Sequence, residues 1–240
     1  MKAIIPCAGY ATRLYPLTLH TPKHLLPIGS KVILDHVVEQ IQKLACIDEI
    51  ILVTNARFYD QFKQWATKKE HITVLNDGTQ SNDDRLGTIG DLCFVLKIMN
   101  CEGDILILLG DNLFEFSLKE MFTFYLQKNA SSVALFDIQK PELATNFGIA
   151  ELDQHGRIIG FEEKPSTAKT TLVSTGCYLL KEEDVHLIHE YHAQQKKDNM
   201  GEFIGWLARQ KNVFGYQFSG IWFDIGSHEH YSEARKRFGS

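Results

Sequence analysis

Short runs of apolar residues recur along this chain with helix-like segments between them, and the runs do not alternate with polar residues. They fall at 3–6, 50–54, 72–75, 105–109 and 133–138, and are rich in Ile, Val and Leu. A strand with one wet face alternates; a strand covered on both faces reads as continuous apolar sequence. The intervening segments at 32–45, 59–68 and 88–99 carry apolar residues at helical spacing, with Val37, Ile41, Leu44 and Ala45 on one face of the first. Alternating strands and helices require right-handed crossovers and a mostly parallel sheet between two helical layers. The expected class is therefore α/β, a three-layer, mainly parallel sheet flanked by helices.

The pattern changes after Lys140. The segments 148–152 and 157–162 flank Asp153-Gln154-His155-Gly156, a hairpin turn signal. Further strand-like stretches at 171–180 and 213–225 enclose a helical segment at 182–192. An antiparallel extension in the C-terminal half is expected. No linker composition separates the halves, so 1–240 reads as one domain, with 1–138 and 139–240 as its two parts. At 240 residues, about 70% of the unfolded surface can be buried without staples.

Composition narrows the function. Lys and Arg number 25 against 30 Asp and Glu, a net charge of −5, and no basic run reaches five residues. A nucleic-acid footprint is not expected. The five cysteines form no C-x-x-C pair and are odd in number, which reads as reduced thiols in a cytoplasmic protein. The N-terminal apolar run is too short for a signal peptide, and no stretch of 18 apolar residues exists to enter a membrane.

The first strand leads directly into Pro6-Cys7-Ala8-Gly9-Tyr10-Ala11-Thr12-Arg13. Ligands of α/β sheets bind beyond the carboxyl ends of strands. Gly9 lets backbone N–H groups approach an anion, and Arg13 offers a bidentate fork for phosphate oxygens. Lys23 follows in a loop held between Pro22 and Pro27. Neither a G-x-G-x-x-G fingerprint nor a P-loop is present. His186, His189 and His192 share a helical spacing, and a solvated helix face accounts for them better than a metal site.

The run G-x-x-T-R-L-x-P-L-T-x-x-x-P-K-x-L-L-P-I at 9–28 resembles the sugar-1-phosphate nucleotidylyltransferases, with the nearest likeness to glucose-1-phosphate thymidylyl- and uridylyltransferases. Later segments match that family in order: Leu86-Gly87-Thr88, Leu109-Gly110-Asp111-Asn112, Gly148-Ile149-Ala150-Glu151, Glu162-Glu163-Lys164-Pro165, Ser174-Thr175-Gly176-Cys177-Tyr178 and Trp222-Phe223-Asp224-Ile225-Gly226. The resemblance implies a nucleoside triphosphate and a sugar 1-phosphate as partners and Mg²⁺ as cofactor, with Asp111 and Asp224 as its carboxylate ligands. It implies that Arg13, Lys23 and Lys164 carry the transfer: Arg13 holds the triphosphate and the departing pyrophosphate, Lys23 acts beside it, and Lys164 anchors the acceptor phosphate. The nucleotide falls to Ala8, Gly9, Tyr10, Ala11, Thr12, Asn82, Leu86, Gly87 and Asp111. The acceptor falls to Asn112, Gly148, Glu163, Lys164, Thr175 and Trp222.

Several positions depart from that pattern. Ala11 replaces a common second glycine. Asn82 stands where a base-reading Gln would fall, inside a longer segment, 76–85, with three aspartates and an arginine. Base and acceptor are thus left open, and a cytidylyltransferase acting on phosphocholine or a phosphonate is the nearest rival. A catalytically silent subunit of the same fold is a second rival, disfavoured because every charged residue of the motifs is present. No β-helix repeats follow the last motif, so a short form is expected, and the family's frequent dimers and tetramers leave a homo-oligomer open by analogy.

Overall fold

The computed structural model describes residues 1–194 and 198–239. In chain order the elements are β1 (Lys2–Pro6), β2 (Pro27–Ile28), β3 (Lys31–Val32), α1 (Ile33–Gln42), β4 (Glu49–Thr54), α2 (Tyr59–Ala66), β5 (Ile72–Asn76), α3 (Gly87–Met99), β6 (Ile105–Leu108), β7 (Asn112–Phe114), α4 (Leu118–Lys128), β8 (Ser132–Asp137), α5 (Pro141–Ala144), β9 (Gly148–Leu152), β10 (Ile158–Glu163), β11 (Leu172–Leu180), α6 (Glu182–Val185), α7 (Leu187–Gln194), α8 (Met200–Ala208), β12 (Phe214–Phe218), β13 (Trp222–Asp224) and α9 (His228–Phe238).

The apolar runs form one large sheet. Four strands are parallel neighbours in the order β6-β1-β4-β5. Successive side chains of β1 and β4 point to opposite faces, and both sets are buried. Ala3, Ile5 and Leu52 pack with Val37 and Ile41 of α1, Phe62 of α2 and Met121 of α4. Ile4, Ile51 and Val53 pack with Leu92 and Val95 of α3, Ile188 of α7 and Phe203 and Leu207 of α8. Two apolar layers on one sheet explain why the strands show no polar alternation. Among the described residues no helix is long and apolar enough to cross a membrane.

The second half joins the same sheet through β11. Its C-terminal part, Cys177 to Leu180, runs antiparallel to β6, while Val173 at its start pairs with β9. Its other edge pairs with β8 along both parts, with the register shifting between Ser174 and Tyr178. The fifth apolar run, β8, therefore points the same way as β6 but does not adjoin it, because the antiparallel β11 lies between them. Strands β9 and β10 form the expected hairpin, with Asp153 N–H and O bridging to Arg157 and Gly156 across the turn. Two expected elements are subdivided. The helix at 182–192 breaks at His186, and the strand at 213–225 becomes β12, parallel to β8, and β13, antiparallel to β7. His186, His189 and His192 are all exposed, as a solvated face requires.

Candidate active site

The carboxyl ends of β1 and β6 open onto a cleft formed by two adjoining cavities, of about 400 and 730 Å³. Arg13, Lys23, Thr88, Leu109 and Asp111 belong to both walls, so they mark the junction. Ala8, Gly9, Tyr10, Ala11, Thr12, Asn82 and Gly87 line the smaller cavity. Asn112, Gly148, Glu163, Lys164, Thr175, Trp222 and Asp224 line the larger one. Of the residues assigned above to transfer, nucleotide, acceptor or metal, Leu86 alone is in neither wall; its side chain packs beside Gly90 at the start of α3.

The loop after β1 is fixed by buried polar contacts. Cys7 N–H continues the ladder to Val53 O at 2.8 Å, and Asn55 Nδ2 donates to Ala8 O at 2.8 Å. Ala11 adopts the left-handed conformation, φ 47°, and opens the single turn Thr12–Leu14. Its carbonyl accepts from Thr18 Oγ1 at 2.8 Å and Leu14 N–H at 3.0 Å. Leu14 is buried below the turn, which leaves Arg13 facing the cleft. The backbone thus takes at Ala11 the conformation that a glycine would adopt without Cβ strain.

Lys23 sits on a second single turn, closed by Leu26 N–H to Lys23 O at 3.0 Å. Its Nζ lies 2.5 Å from Asp111 Oδ2. Gly110 allows this approach, because a Cβ there would stand 2.6 Å from Cys7 Sγ and 2.9 Å from His24 Cδ2. His24 is buried, and that burial, with the Lys23 charge, pushes its imidazole down to about 3, so it is neutral.

Strand β13 brings the second carboxylate. Asp224 pairs in register with Asn112, and Ile225 N–H donates to Asp111 O at 3.0 Å. Burial opposes the charge on Asp111, but Lys23 holds its carboxyl below the ordinary range. Burial and the charge of Asp111 push Asp224 up to about 6. Two hard oxygen donors converge here, the donor chemistry that a divalent cation satisfies with water and phosphate completing its shell. Among the described residues no group of three or more His, Cys, Asp and Glu is clustered for a metal, so these two carboxylates would be the protein's share.

Asn112 and Trp222 are tied to this centre. Trp222 Nε1 donates to Asn112 Oδ1 at 2.7 Å, and Asn112 Nδ2 donates to Asp111 Oδ1 at 2.9 Å. Both residues wall the larger cavity and also orient Asp111. Thr175 donates its hydroxyl to Ala134 O at 3.1 Å. Lys164 follows β10 in the left-handed conformation, φ 46°, with its N–H bonded to Phe147 O at 3.0 Å. Gly148 and Gly201 make room for the Glu163 carboxylate, whose Oε2 lies 2.7 and 1.9 Å from where a Cβ would stand on each.

Sequence reasoning missed Asp91 and Asp198. Asp91 is a carboxyl on the buried face of α3, one turn after Gly87, and lines the smaller cavity. An acid inside an otherwise apolar helix was the available signal. Asp198 caps α3 from the other half of the chain, accepting Ile89 N–H at 2.8 Å and Gly90 N–H at 3.0 Å. No local pattern could have announced that contact.

The model of the nucleotidyl transferase family matches residues 2–239. The bifunctional protein GlmU of Methanocaldococcus jannaschii is 30% identical over 240 residues, covering 98% of this chain and 54% of that protein. The mannose-1-phosphate guanylyltransferase catalytic subunit beta of Drosophila pseudoobscura pseudoobscura is 26% identical, covering 94% of this chain and 59% of that one. The chain thus spans little more than half the length of these relatives. The crystal structure of UDP-glucose pyrophosphorylase complexed with UDP-glucose superimposes with a TM-score of 0.82 at 22% identity, covering 99% of this chain and 97% of the other, a likeness of fold. With its motifs in order along the chain and gathered at one cleft, this protein belongs to the nucleotidyl transferase family.

Proposed function

We propose that this chain joins a nucleoside triphosphate to a sugar 1-phosphate, releasing pyrophosphate. The observation that carries the reading is the junction of the two cavities: the cations of Arg13 and Lys23 and the carboxylate of Asp111 belong to both walls. The α-phosphorus of a triphosphate in the smaller cavity and the phosphate of an acceptor in the larger one would meet there. An acceptor phosphate oxygen attacks the α-phosphorus, and the bond to the β-phosphate oxygen breaks with its electron pair, which leaves on pyrophosphate. The attacking oxygen is already anionic, so no base is needed, and catalysis rests on positioning and charge neutralisation.

Arg13 and Lys23 neutralise the triphosphate and the leaving group. Lys164, exposed at the mouth of the larger cavity, binds the acceptor phosphate, and Glu163 accepts hydrogen bonds from sugar hydroxyls. Asp111 and Asp224 would hold Mg²⁺, which supplies Lewis-acid charge neutralisation at phosphate oxygens when bound. The Lys23–Asp111 contact keeps both side chains at the junction before substrate arrives.

A second reading has one specific observation in its favour. Phe136, Phe147 and Trp222 wall the larger cavity with tilted and edge contacts, Phe147 and Trp222 having ring centroids 5.1 Å apart. Beside Glu163 such a wall suits a quaternary ammonium, so phosphocholine is the alternative acceptor, with CTP as donor.

The test is pyrophosphate release with Mg²⁺, using glucose 1-phosphate and phosphocholine as acceptors. Asp111→Asn is expected to lower turnover by about a hundredfold or more, and Lys164→Ala to raise the KM for acceptor. Near-native kinetics in both variants would overturn the assignment.

A further inference from the structure

Asn82, Arg85, Asp91 and Asp198 belong to the smaller cavity alone, away from the junction. If that cavity holds the nucleotide, as proposed above, its triphosphate must reach Arg13 and Lys23. The nucleoside is then left with the rest of that wall, where these four residues stand with Tyr10, Thr12 and Gly87.

Arg85 Nη1 donates to Asn82 Oδ1 at 2.8 Å. An arginine offers only donors, so the oxygen of the Asn82 amide must be the atom that faces it. What remains of Asn82 is its NH₂ group, and what remains of Arg85 is further N–H. This side of the wall therefore offers adjacent donors and no acceptor. Asp91 and Asp198 offer the reverse. Asp91 is only 4% exposed, and its Oδ1 lacks a partner until the carboxyl is protonated, when it bonds to the neighbouring Asp77 and leaves its carbonyl oxygen as an acceptor. Burial and the neighbouring Asp77 push the Asp91 carboxyl up to about 9, so it can accept a hydrogen bond without repelling a triphosphate at neutral pH.

Nucleobases can be sorted against such a wall. Uracil and thymine place an N–H between two carbonyls and carry no exocyclic amine. Adenine sets its amine between the acceptors N1 and N7, and its N1 and N3 diverge across C2–H. Cytosine has adjacent acceptors at N3 and O2 with an amine at C4, and guanine has adjacent acceptors at O6 and N7 with an amine at C2. We infer that the nucleotide of this chain carries cytosine or guanine, with the acceptor pair read by Asn82 and Arg85 and the amine by the aspartates of the same cavity.

Calorimetric titration of the full chain in Mg²⁺ with CTP, GTP, UTP, dTTP and ATP tests this without needing the acceptor. CTP or GTP is expected to bind about tenfold or more tightly than the other three. Tightest binding by UTP, dTTP or ATP, or equal binding of all five, overturns the base assignment and leaves the nucleotide reading standing. Binding of none overturns the nucleotide reading and the assignment with it. In Arg85→Gln the amide of Asn82 is released to rotate and an acceptor is added. The CTP or GTP preference should then shrink about tenfold, while UTP affinity holds or improves. A uniform loss across all five nucleotides would give Arg85 a structural role only and overturn its part in base choice. Arg85 and Asn82 are both exposed, so far-UV circular dichroism should be unchanged in the variant.

Discussion

Single residues in this cleft hold conformations and protonation states that they would not choose in isolation. Ala11 and Lys164 both carry positive φ, each fixed by backbone or hydroxyl hydrogen bonds, and each aims the next functional group at the cleft. Asp111 keeps its charge through Lys23, and the Trp222–Asn112–Asp111 hydrogen bonds leave its carboxylate one orientation. Asp91 shows the opposite regime. Its folded carboxyl titrates at about 9, raised by burial and Asp77, against an unfolded value of about 3.9. Over that interval the folded chain keeps a proton that the unfolded chain has released. Stability from this group is therefore full below about pH 4 and is lost as pH rises towards about 9. Asp91→Asn removes the titration. Urea unfolding should show the variant gaining on the native chain between about pH 5 and about pH 8, by at most about 1.4 kcal/mol per pH unit. A difference that does not change with pH would mean that Asp91 ionises normally.

At the scale of elements, β11 decides the shape of the cleft. Its C-terminal part pairs with β6 and its start with β9, while its register against β8 shifts between Ser174 and Tyr178, beside the end of β6. Gly176 lies inside the shift with φ 72°, its carbonyl accepts Leu109 N–H at 2.9 Å, and a Cβ there would stand 2.8 Å from Leu109 Cδ1. Gly176→Ala meets both a disfavoured backbone and a packed neighbour. We expect a loss of about 1–3 kcal/mol in denaturant unfolding and a fall in pyrophosphate release, because Leu109 leads directly to Gly110 and Asp111. Native stability together with native turnover would show that the shift is not required. Helix α3 is the other decisive element. Its first amides are capped by Asp198, and its second turn presents Asp91, so the wall of the smaller cavity draws on both halves of the sequence.

As a whole molecule, the two parts 1–138 and 139–240 share one sheet, with β11 between β6 and β8, and both share the core that contains Ile4 and Phe203. A single cooperative unit is the expectation. Trp65 reports from the first part, and Trp206 and Trp222 from the second, so tryptophan fluorescence and far-UV circular dichroism should give one denaturation midpoint. Separated midpoints would show the parts to be independent domains. The net charge of −5 is distributed without emptying the cleft of cations, since Arg13 and Lys23 stand at its junction and Lys164 lines the larger cavity. The cleft therefore presents local positive charge on a molecule that is negative overall.

The sequence by itself determined the layered α/β class and the motifs that line the cleft. Buried strands need unbroken apolar runs, and the loop after the first strand carries Gly9, Thr12 and Arg13 in near succession, so both leave local patterns. The same holds for Lys23, Asp111, Lys164 and Asp224, which sit in short motifs at strand ends. Tertiary structure alone decided that β11 would separate β8 from β6, because register depends on which edges meet. It alone placed Asp198 on the amides of α3, turned Asn82 towards Arg85 and set Asp77 against Asp91. Those contacts join residues distant in the chain or fix the rotamer of a single amide, and no periodicity records them. The motifs that line the cleft are short and local; the wall of its smaller cavity depends on how the two halves pack.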